Sequence, residues 1–202
     1  MSKPLSQKEI GERRINLIEA ALSILEAEGT AGLTMRRLAE AAKVSRQTPY
    51  LYFKDKAALC DAMCVAGMTR LTVETAAAAE NASGEGHIEQ LRLAGEAYVR
   101  FGLDNPALYA LIFRPPQIGD QPSPELQQAI DDNIAVTLTL MQSAWDDGLL
   151  TLVPERLNQV FWATLHGLVS LRNDGLLRDD AVFARMLADI EFVLANGFLK
   201  KP

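Results

Sequence analysis

Apolar residues recur every three or four positions along most of the chain, which is the spacing of one face of an α-helix. The first such run follows Ser6-Gln7-Lys8-Glu9, whose S-x-x-E form is typical of a capping box, and it ends where Gly29 can close a helix. We therefore predict a first helix over about 7–28. Three further side chains are suited to cap the next helices, namely those of Thr34, Ser45 and Asp55.

The predicted second and third helices are short. Thr34 precedes the segment MRRLAEAA, and Ser45 precedes a segment that we predict to be helical to about Phe53. A long fourth helix starts at Lys56 and continues into an alanine run. Helix two, the tight turn and helix three have the lengths of a helix-turn-helix, whose second helix can enter the major groove of DNA.

Prolines and glycines divide the rest of the chain into further helices. Proline is favoured at the first position of a helix, so Pro106, Pro124 and Pro154 each mark a start. We predict helices over about 87–103, 106–113, 124–147, 154–173 and 179–198. No segment reads convincingly as a strand. The expected fold is therefore all-α, with an N-terminal three-helix helix-turn-helix domain, a larger helical bundle and about nine helices in total.

Charge is divided unevenly along the chain. The formal net charge is -6 at pH 7, yet residues 1–60 contain 10 Lys and Arg against 7 Asp and Glu, and residues 61–202 contain 10 against 19. A basic segment attached to an acidic body is typical of a protein in which one part meets a polyanion. The stretch VSRQTPYLYFKDK at 44–56 concentrates cations and aromatics on the predicted third helix.

Other features exclude whole classes of protein. The N-terminal residues are too polar for a signal peptide, and no segment approaches 18 uninterrupted apolar residues. We therefore expect a cytoplasmic protein with no membrane contact and no cofactor. Cys60 and Cys64 lie four residues apart on one helix face, either as packing residues or as a thiol or metal switch. Packing is the favoured interpretation, because two ligands make an incomplete zinc site.

Residues 17–62 resemble the DNA-binding domain of the tetracycline-repressor (TetR) family of bacterial transcription regulators. The resemblance lies in the I-x-x-A-A run with its following E-x-G, in the V-S turn, in T-x-Y-x-Y-F, and in Lys56 with Leu59 behind it. The segments YVRFGLDNPALYALIF at 98–113 and WATLHGLVSL at 162–171 resemble a group of the family with a Trp-His-Gly signature. The resemblance implies a DNA-binding domain over 1–55 and a ligand-binding and dimerisation domain over 56–202.

Two positions depart from the family pattern. Lys43 stands where the family usually has glycine, and a left-handed backbone there costs a side chain about 1 kcal/mol. Pro49 lies just beyond the first turn of a helix capped by Ser45, and it cannot donate a helical hydrogen bond. We therefore expect the third helix to start a residue or two late or to be tightened locally.

The resemblance also assigns roles to the basic segment. Arg46, Gln47 and Thr48 lie at the start of the reading helix, where Arg can bond guanine and Gln can bond adenine. Phe53 is expected in the core. The remaining candidate DNA-binding residues suit the phosphate backbone or the turn, and they are Thr34, Arg36, Lys43, Ser45, Tyr50, Tyr52, Lys54 and Lys56. Taken without the family pattern, these charges also fit an ordinary solvated face.

The aromatic residues of the acidic body suggest an apolar cavity. Our candidate ligand-binding residues are Tyr98, Phe101, Tyr109, Phe113, Met141, Trp145, Phe161, Trp162 and His166, with Arg114 and Gln142 as further polar candidates. A catalytic role for His166 is not favoured, since one histidine without a nearby nucleophile is more often a packed residue.

The segment VFWATLHGLVSL is apolar almost all round, which indicates cover from a partner subunit as well as from its own chain. Candidate dimerisation residues are Leu165, Gly167, Leu168, Met186, Leu187, Ile190 and Leu194. The sequence thus predicts a homodimeric repressor that a lipophilic or aromatic molecule releases from a pseudo-palindromic operator. The alternative is a small helical enzyme or carrier that uses the apolar cavity.

Overall fold

The computed structural model describes residues 6–114 and 122–199, without the side chains of Leu194 and Ala195. This part of the chain forms nine helices and no strand, as the periodicity predicts. They are α1 (Gln7–Gly32), α2 (Met35–Ala41), α3 (Thr48–Tyr52), α4 (Lys56–Asn81), α5 (His87–Asp104), α6 (Pro106–Ile112), α7 (Pro124–Asp146), α8 (Pro154–Asn173) and α9 (Asp180–Phe198). The sole pairing of extended backbone in the described residues is an isolated bridge between Leu150 and Leu199.

Local capping signals set most of the helix ends. Ser6 and Glu9 form the predicted capping box, in which each side chain bonds the other residue's backbone N–H, at 3.3 and 2.7 Å. Asp55 accepts from the backbone N–H of Ala58 at 2.9 Å at the start of α4. Gly29 has a φ of 66° and interrupts α1, so the regular first helix ends where the sequence predicts, and the last residues of α1 follow a kink.

The start of α6 is capped from another helix. Asn105 occupies the N-cap position before Pro106, but its side chain makes no capping hydrogen bond. The carboxylate of Glu26 in α1 accepts from the backbone N–H of Leu108 at 3.1 Å instead. A side chain from a distant helix thus satisfies one of the free donors of the first turn, which local sequence could not indicate.

The chain divides into two units, Met1–Met68 with Asn105–Gln127 (unit 1) and Thr69–Asp104 with Gln128–Pro202 (unit 2). In unit 1, α1 packs against α2 and α6, and α2 packs against α3. The core of unit 1 is built from buried apolar side chains of α1, α2, α6 and the first half of α4, together with the aromatic ring of Phe53, which is 3% exposed as predicted. Arg14 lies over that ring at 5.4 Å.

In unit 2, α8 packs against both α5 and α9. A cluster of buried side chains fills its centre and consists of Leu91, Met141, Ala144, Leu150 and Leu157. Gly95 allows α5 to approach α8 closely, because a Cβ at this position would lie 2.9 Å from Cζ of Phe161. No helix in the described ranges is both long enough and apolar enough to cross a membrane.

Candidate functional site

The turn between α2 and α3 is closed by a Schellman motif. The backbone N–H of Lys43 bonds the carbonyl of Glu40 at 3.2 Å, and that of Val44 bonds the carbonyl of Ala39 at 3.0 Å. Lys43 itself has a φ of 55°, the one positive φ among the described non-glycine residues. The backbone at this position is therefore left-handed, and the lysine side chain remains exposed.

The helix α3 begins at Thr48, three residues after Ser45. The prediction that Ser45 caps this helix is wrong, because the Ser45 hydroxyl pairs with the Thr48 hydroxyl at 2.9 Å and Gln47 occupies the N-cap position. The expected late start is confirmed. It places Pro49 in the first turn, where its missing N–H costs nothing, and Pro49 is fully buried.

Nearly all the predicted DNA-binding side chains reach solvent. Two are half-buried, Thr48 and Tyr52, and the exposed ones are Thr34, Arg36, Lys43, Ser45, Arg46, Gln47, Tyr50, Lys54 and Lys56. The hydroxyl of Thr34 also caps α2, since it accepts from the backbone N–H of Arg37 at 3.1 Å. All of these residues belong to unit 1.

Ion pairs divide the cations of this surface into two groups. Arg37 bonds Glu28 at 2.6 Å, which raises the pKa of Arg37, and Arg36 lies 4.0 Å from Glu40. Among the described residues, the other group forms no ion pair and consists of Lys43, Arg46, Lys54 and Lys56. These four cations are therefore available to an external polyanion.

The structure adds one residue that sequence reasoning missed. Leu51 in α3 is 80% exposed, next to Tyr50 at 57%. In a helix of five residues the apolar pattern is too short to show which face a leucine occupies. An exposed leucine on this helix suits contact with an apolar group, such as the methyl group of thymine.

Unit 2 contains a cavity of about 130 Å³. Its lining is mostly aliphatic and comes from α5, α7, α8, α9 and the segments next to them. The lining residues are Ile88, Leu91, Arg92, Gly95, Glu96, Met141, Leu150, Leu157, Phe161, Leu165, Leu187, Ile190, Glu191, Phe198 and Leu199. Such a lining, apolar with a few polar groups, is typical of small-molecule sites.

The polar groups of the cavity are charged and adjoin one another. Arg92 bonds Glu89 at 2.5 and 2.8 Å and Glu96 at 2.5 Å. The Arg92 bond holds the pKa of Glu89 below its usual value. Burial and the charge of Glu96 raise the pKa of Glu191. This cluster is absent from the predicted site residues, although Glu89, Arg92 and Glu96 have the spacing of helical ion pairs.

The predicted ligand-binding residues are distributed over several places. Met141 and Phe161 line the cavity, and Tyr98, Phe161 and Trp162 line a second one of about 50 Å³ in unit 2. The others line neither cavity. Phe101 is buried in unit 2 and Trp145 is 37% exposed, whereas Tyr109 and Phe113 belong to unit 1, with ring centroids 4.6 Å apart.

His166 packs within α8. Its ring stacks on Trp162 with centroids 5.4 Å apart, and its Nε2 lies 3.5 Å from the Ser170 hydroxyl. Burial lowers the pKa of His166, which favours the neutral ring. These contacts agree with the packing role that the sequence analysis favours.

The candidate dimerisation residues fall into two groups. Leu165 and Leu168 are buried within unit 2, and Met186, Leu187 and Ile190 are half-buried. A Cβ on Gly167 would meet no atom within 4 Å, so this glycine faces open space. The side chain of Leu194 lies outside the described residues. Exposed apolar side chains on or beside α8 and α9 are Val160, Trp162, Leu171, Leu176, Phe192 and Val193.

The two cysteines are free thiols. Burial raises the pKa of Cys64 to about 12 and also raises that of Cys60. Within residues 6–114 and 122–199, no group of three or more His, Cys, Asp or Glu side chains could hold a metal ion.

The sequence matches two family models. Residues 17–63 match the one described as bacterial regulatory proteins, tetR family, and residues 91–190 match the tetracyclin repressor-like C-terminal domain. No curated protein matches the chain at a significant level.

Solved structures of similar fold cover almost the whole chain. A protein with unknown function from Rhodococcus sp. RHA1 is 27% identical, with a TM-score of 0.81 and coverage of 93% of this chain and 95% of its own. A TetR-family transcriptional regulator from Pectobacterium atrosepticum is 22% identical, with a TM-score of 0.76 and coverage of 98% of this chain and 100% of its own. The transcriptional regulator FadR from Bacillus subtilis, in complex with stearoyl-CoA, is 15% identical, with a TM-score of 0.74 and coverage of 91% of this chain and 98% of its own.

Proposed function

The chain belongs to the TetR family of bacterial regulatory proteins, and we propose that it is a cytoplasmic repressor that a small molecule releases from its operator. Family membership makes it a DNA-binding transcription regulator and not an enzyme, so the alternative of a small helical enzyme is set aside. The division of roles between residues 1–55 and 56–202 is part of the proposal.

The observation that carries the DNA-binding role is the composition of the α2–α3 surface. Four cations that form no ion pair with any described residue flank α3 in sequence, and Arg46 and Gln47 lie exposed just before it. Lys43 and Lys54 suit phosphate contacts, whereas Arg46 and Gln47 can bond base edges in the major groove. Leu51, exposed on the same helix, supplies an apolar contact for thymine.

The cavity of unit 2 is the proposed effector site. A molecule bound there changes operator affinity if it prefers the conformation that binds DNA poorly. A preference of about 1–3 kcal/mol is enough for a useful response. Trp162 stacks on His166, and His166 is followed by Gly167, which supports placing the chain in the Trp-His-Gly group of the family.

The exposed apolar face of α8 and α9 supports a homodimer. Phe192 and Val193 are 67% and 61% exposed, and Gly167 leaves space for a close approach of another helix. Two copies related by a two-fold axis would present two α3 helices to a pseudo-palindromic operator.

An electrophoretic shift with DNA from upstream of the protein's own gene tests the proposal. We expect a complex that competitor DNA of random sequence does not displace at equal concentration. A double variant Arg46→Ala, Gln47→Ala should lose this preference while circular dichroism shows an intact fold. Wild-type binding that is the same for all sequences would contradict an operator-specific repressor.

A further inference from the structure

The charged groups of the unit 2 cavity do not balance one another. The guanidinium of Arg92 faces three carboxylates: those of Glu96 and Glu191, which line the cavity, and that of Glu89, which pairs with Arg92 beside it. With every group in its usual ionised form, the cluster carries two negative charges in excess. The rest of the lining is uncharged and apolar, so nothing else in it compensates this excess.

Arg92 is already engaged. Its Nε and Nη2 bond the two oxygens of Glu89 at 2.8 and 2.5 Å, and its Nη1 bonds Glu96 at 2.5 Å. A bidentate pair of this kind is among the stronger hydrogen-bonded arrangements. A carboxylate or phosphate on a ligand would have to displace one of these glutamates and would then lie beside the others.

Glu191 is the carboxylate left over. Its side chain forms no hydrogen bond and no ion pair with any described residue. The residue lines the cavity from α9 and lies near Glu96 and Arg92. Burial raises its pKa, which is the mark of a carboxylate whose negative charge is poorly compensated. A cation placed against Glu191 would supply the missing charge.

We propose that the unit 2 cavity binds a lipophilic cation, whose apolar body contacts the aliphatic lining and whose ammonium group lies against Glu191 and Glu96. This inference rests on the proposed function, because it names the chemical class of the effector for the same cavity. The proposed effector differs from the acyl-CoA that FadR binds. The likeness to FadR, at 15% identity, extends to the fold alone and does not argue for the same ligand.

Three probes with the same apolar chain test the inference on the purified protein without DNA. Octyltrimethylammonium, 1-octanol and octanoate differ in the charge of the head group, and isothermal titration below their micellar concentrations gives each dissociation constant. We expect octyltrimethylammonium to bind about tenfold or more tightly than 1-octanol, and octanoate to bind least tightly. Octanoate or octanol binding as tightly as the ammonium probe would overturn the inference.

Variants place the binding in the cavity. Glu191→Gln should weaken octyltrimethylammonium about tenfold and leave 1-octanol unchanged, because only the charge is removed. Glu155→Gln is the matched control, since Glu155 is exposed in α8 and does not line the cavity. Leu157→Trp should abolish binding of all three probes by filling the space. A double variant Glu96→Gln, Glu191→Gln, shown to be folded, removes both carboxylates. If either Glu191→Gln or this double variant binds octyltrimethylammonium as tightly as the wild type does, the cation binds elsewhere.

Operator release is measured separately, so that the two proposals can fail independently. If the ammonium probe follows the charge order above but leaves operator affinity unchanged, the cation site stands and the effector role fails. If a neutral or anionic compound releases the operator through the cavity and the ammonium probe does not bind there, the effector role stands and the cation site fails.

Discussion

The side-chain amine of Lys56 donates a hydrogen bond of 2.8 Å to the backbone carbonyl of Thr30. This bond joins the start of α4 to the segment that follows the kink in α1. An ammonium group has three donors, so Lys56 can keep this bond and still contact a DNA phosphate. The sequence alone indicates only the phosphate contact.

Replacing Lys56 should therefore have two effects. We expect Lys56→Ala to weaken binding to all DNA sequences similarly, to lower the slope of log K against log salt by about one unit, and to destabilise the fold by about 1 kcal/mol. Lys54→Ala is the control, because Lys54 is exposed and has no such bond to the backbone. Fluorescence anisotropy at several salt concentrations and urea unfolding measure the two effects. Equal stability of the two variants would argue against the structural role of Lys56.

Arg46 and Gln47 should determine which bases are preferred. Both are exposed immediately before α3. Replacement of either by alanine should cost about 1–3 kcal/mol on the operator and relax the preference at particular base pairs. Affinities for operators substituted one pair at a time provide the measurement. A loss from Arg46→Ala that is uniform across all operators would mean that Arg46 contacts phosphate only.

Lys43 should contribute to DNA affinity at the expense of stability. Its φ of 55° suits glycine, so Lys43→Gly should stabilise the protein by up to about 1 kcal/mol. The same variant should bind DNA less tightly at low salt, since it lacks the cation that we propose to contact a phosphate. Thermal unfolding and anisotropy together measure these opposite changes. Lower stability of the glycine variant would show that the lysine side chain stabilises the turn.

Helix ends proved the easiest feature to predict, because most of them depend on residues adjacent in sequence. Ser6 with Glu9, Gly29 and Asp55 each act on their own turn, so the predicted bounds lie within a few residues of the observed ones. Ser45 predicts a start of α3 that is too early, because its hydroxyl bonds the Thr48 hydroxyl and caps no backbone N–H. Glu26 caps α6 from 82 residues away, which no local pattern could indicate.

The cavity was harder to predict, because empty space between helices depends on how the helices pack and not on residue type. Its lining is mostly aliphatic, with Phe161 and Phe198 as the aromatic residues, whereas Tyr109 is in the core of unit 1. Arg92 and Glu191 come from helices about 100 positions apart. Periodicity shows that each helix has a buried face, but it does not show where two faces leave space.

Gly167→Leu should separate dimerisation from folding. A side chain at this position meets no atom of its own chain, so the monomer should fold and should gain up to about 1 kcal/mol in helix propensity. If α8 meets its copy here, the added bulk should dissociate the dimer and abolish operator binding. Sedimentation velocity at micromolar concentration gives the oligomeric state.

The control for this prediction is Gly11→Leu. Gly11 lies in α1 and also has open space around its Cβ, so the same change should leave sedimentation as it is in the wild type. Phe192→Ser, which removes an exposed aromatic from α9, should weaken the dimer as well. A Gly167→Leu protein that remains a dimer and binds operator normally would move the interface away from this part of α8.

Cys64 should be an unreactive thiol rather than a redox switch. Its Sγ donates to the carbonyl of Leu111 at 3.7 Å, and burial raises its pKa to about 12 from 9.0. At pH 8 the thiolate population should be about 1000-fold smaller than in the unfolded chain, so iodoacetamide should modify a Cys60→Ser protein very slowly until denaturant is added.

The folded protein binds more protons than the unfolded one between pH 9 and 12, so the stability linked to Cys64 is complete below pH 9 and is lost as the pH rises. The alkylation rate should accordingly keep rising with pH beyond 9 while circular dichroism shows a folded protein. A rate that levels off near pH 9 would mean that the pKa is not raised, and it would reopen a regulatory role for the thiol.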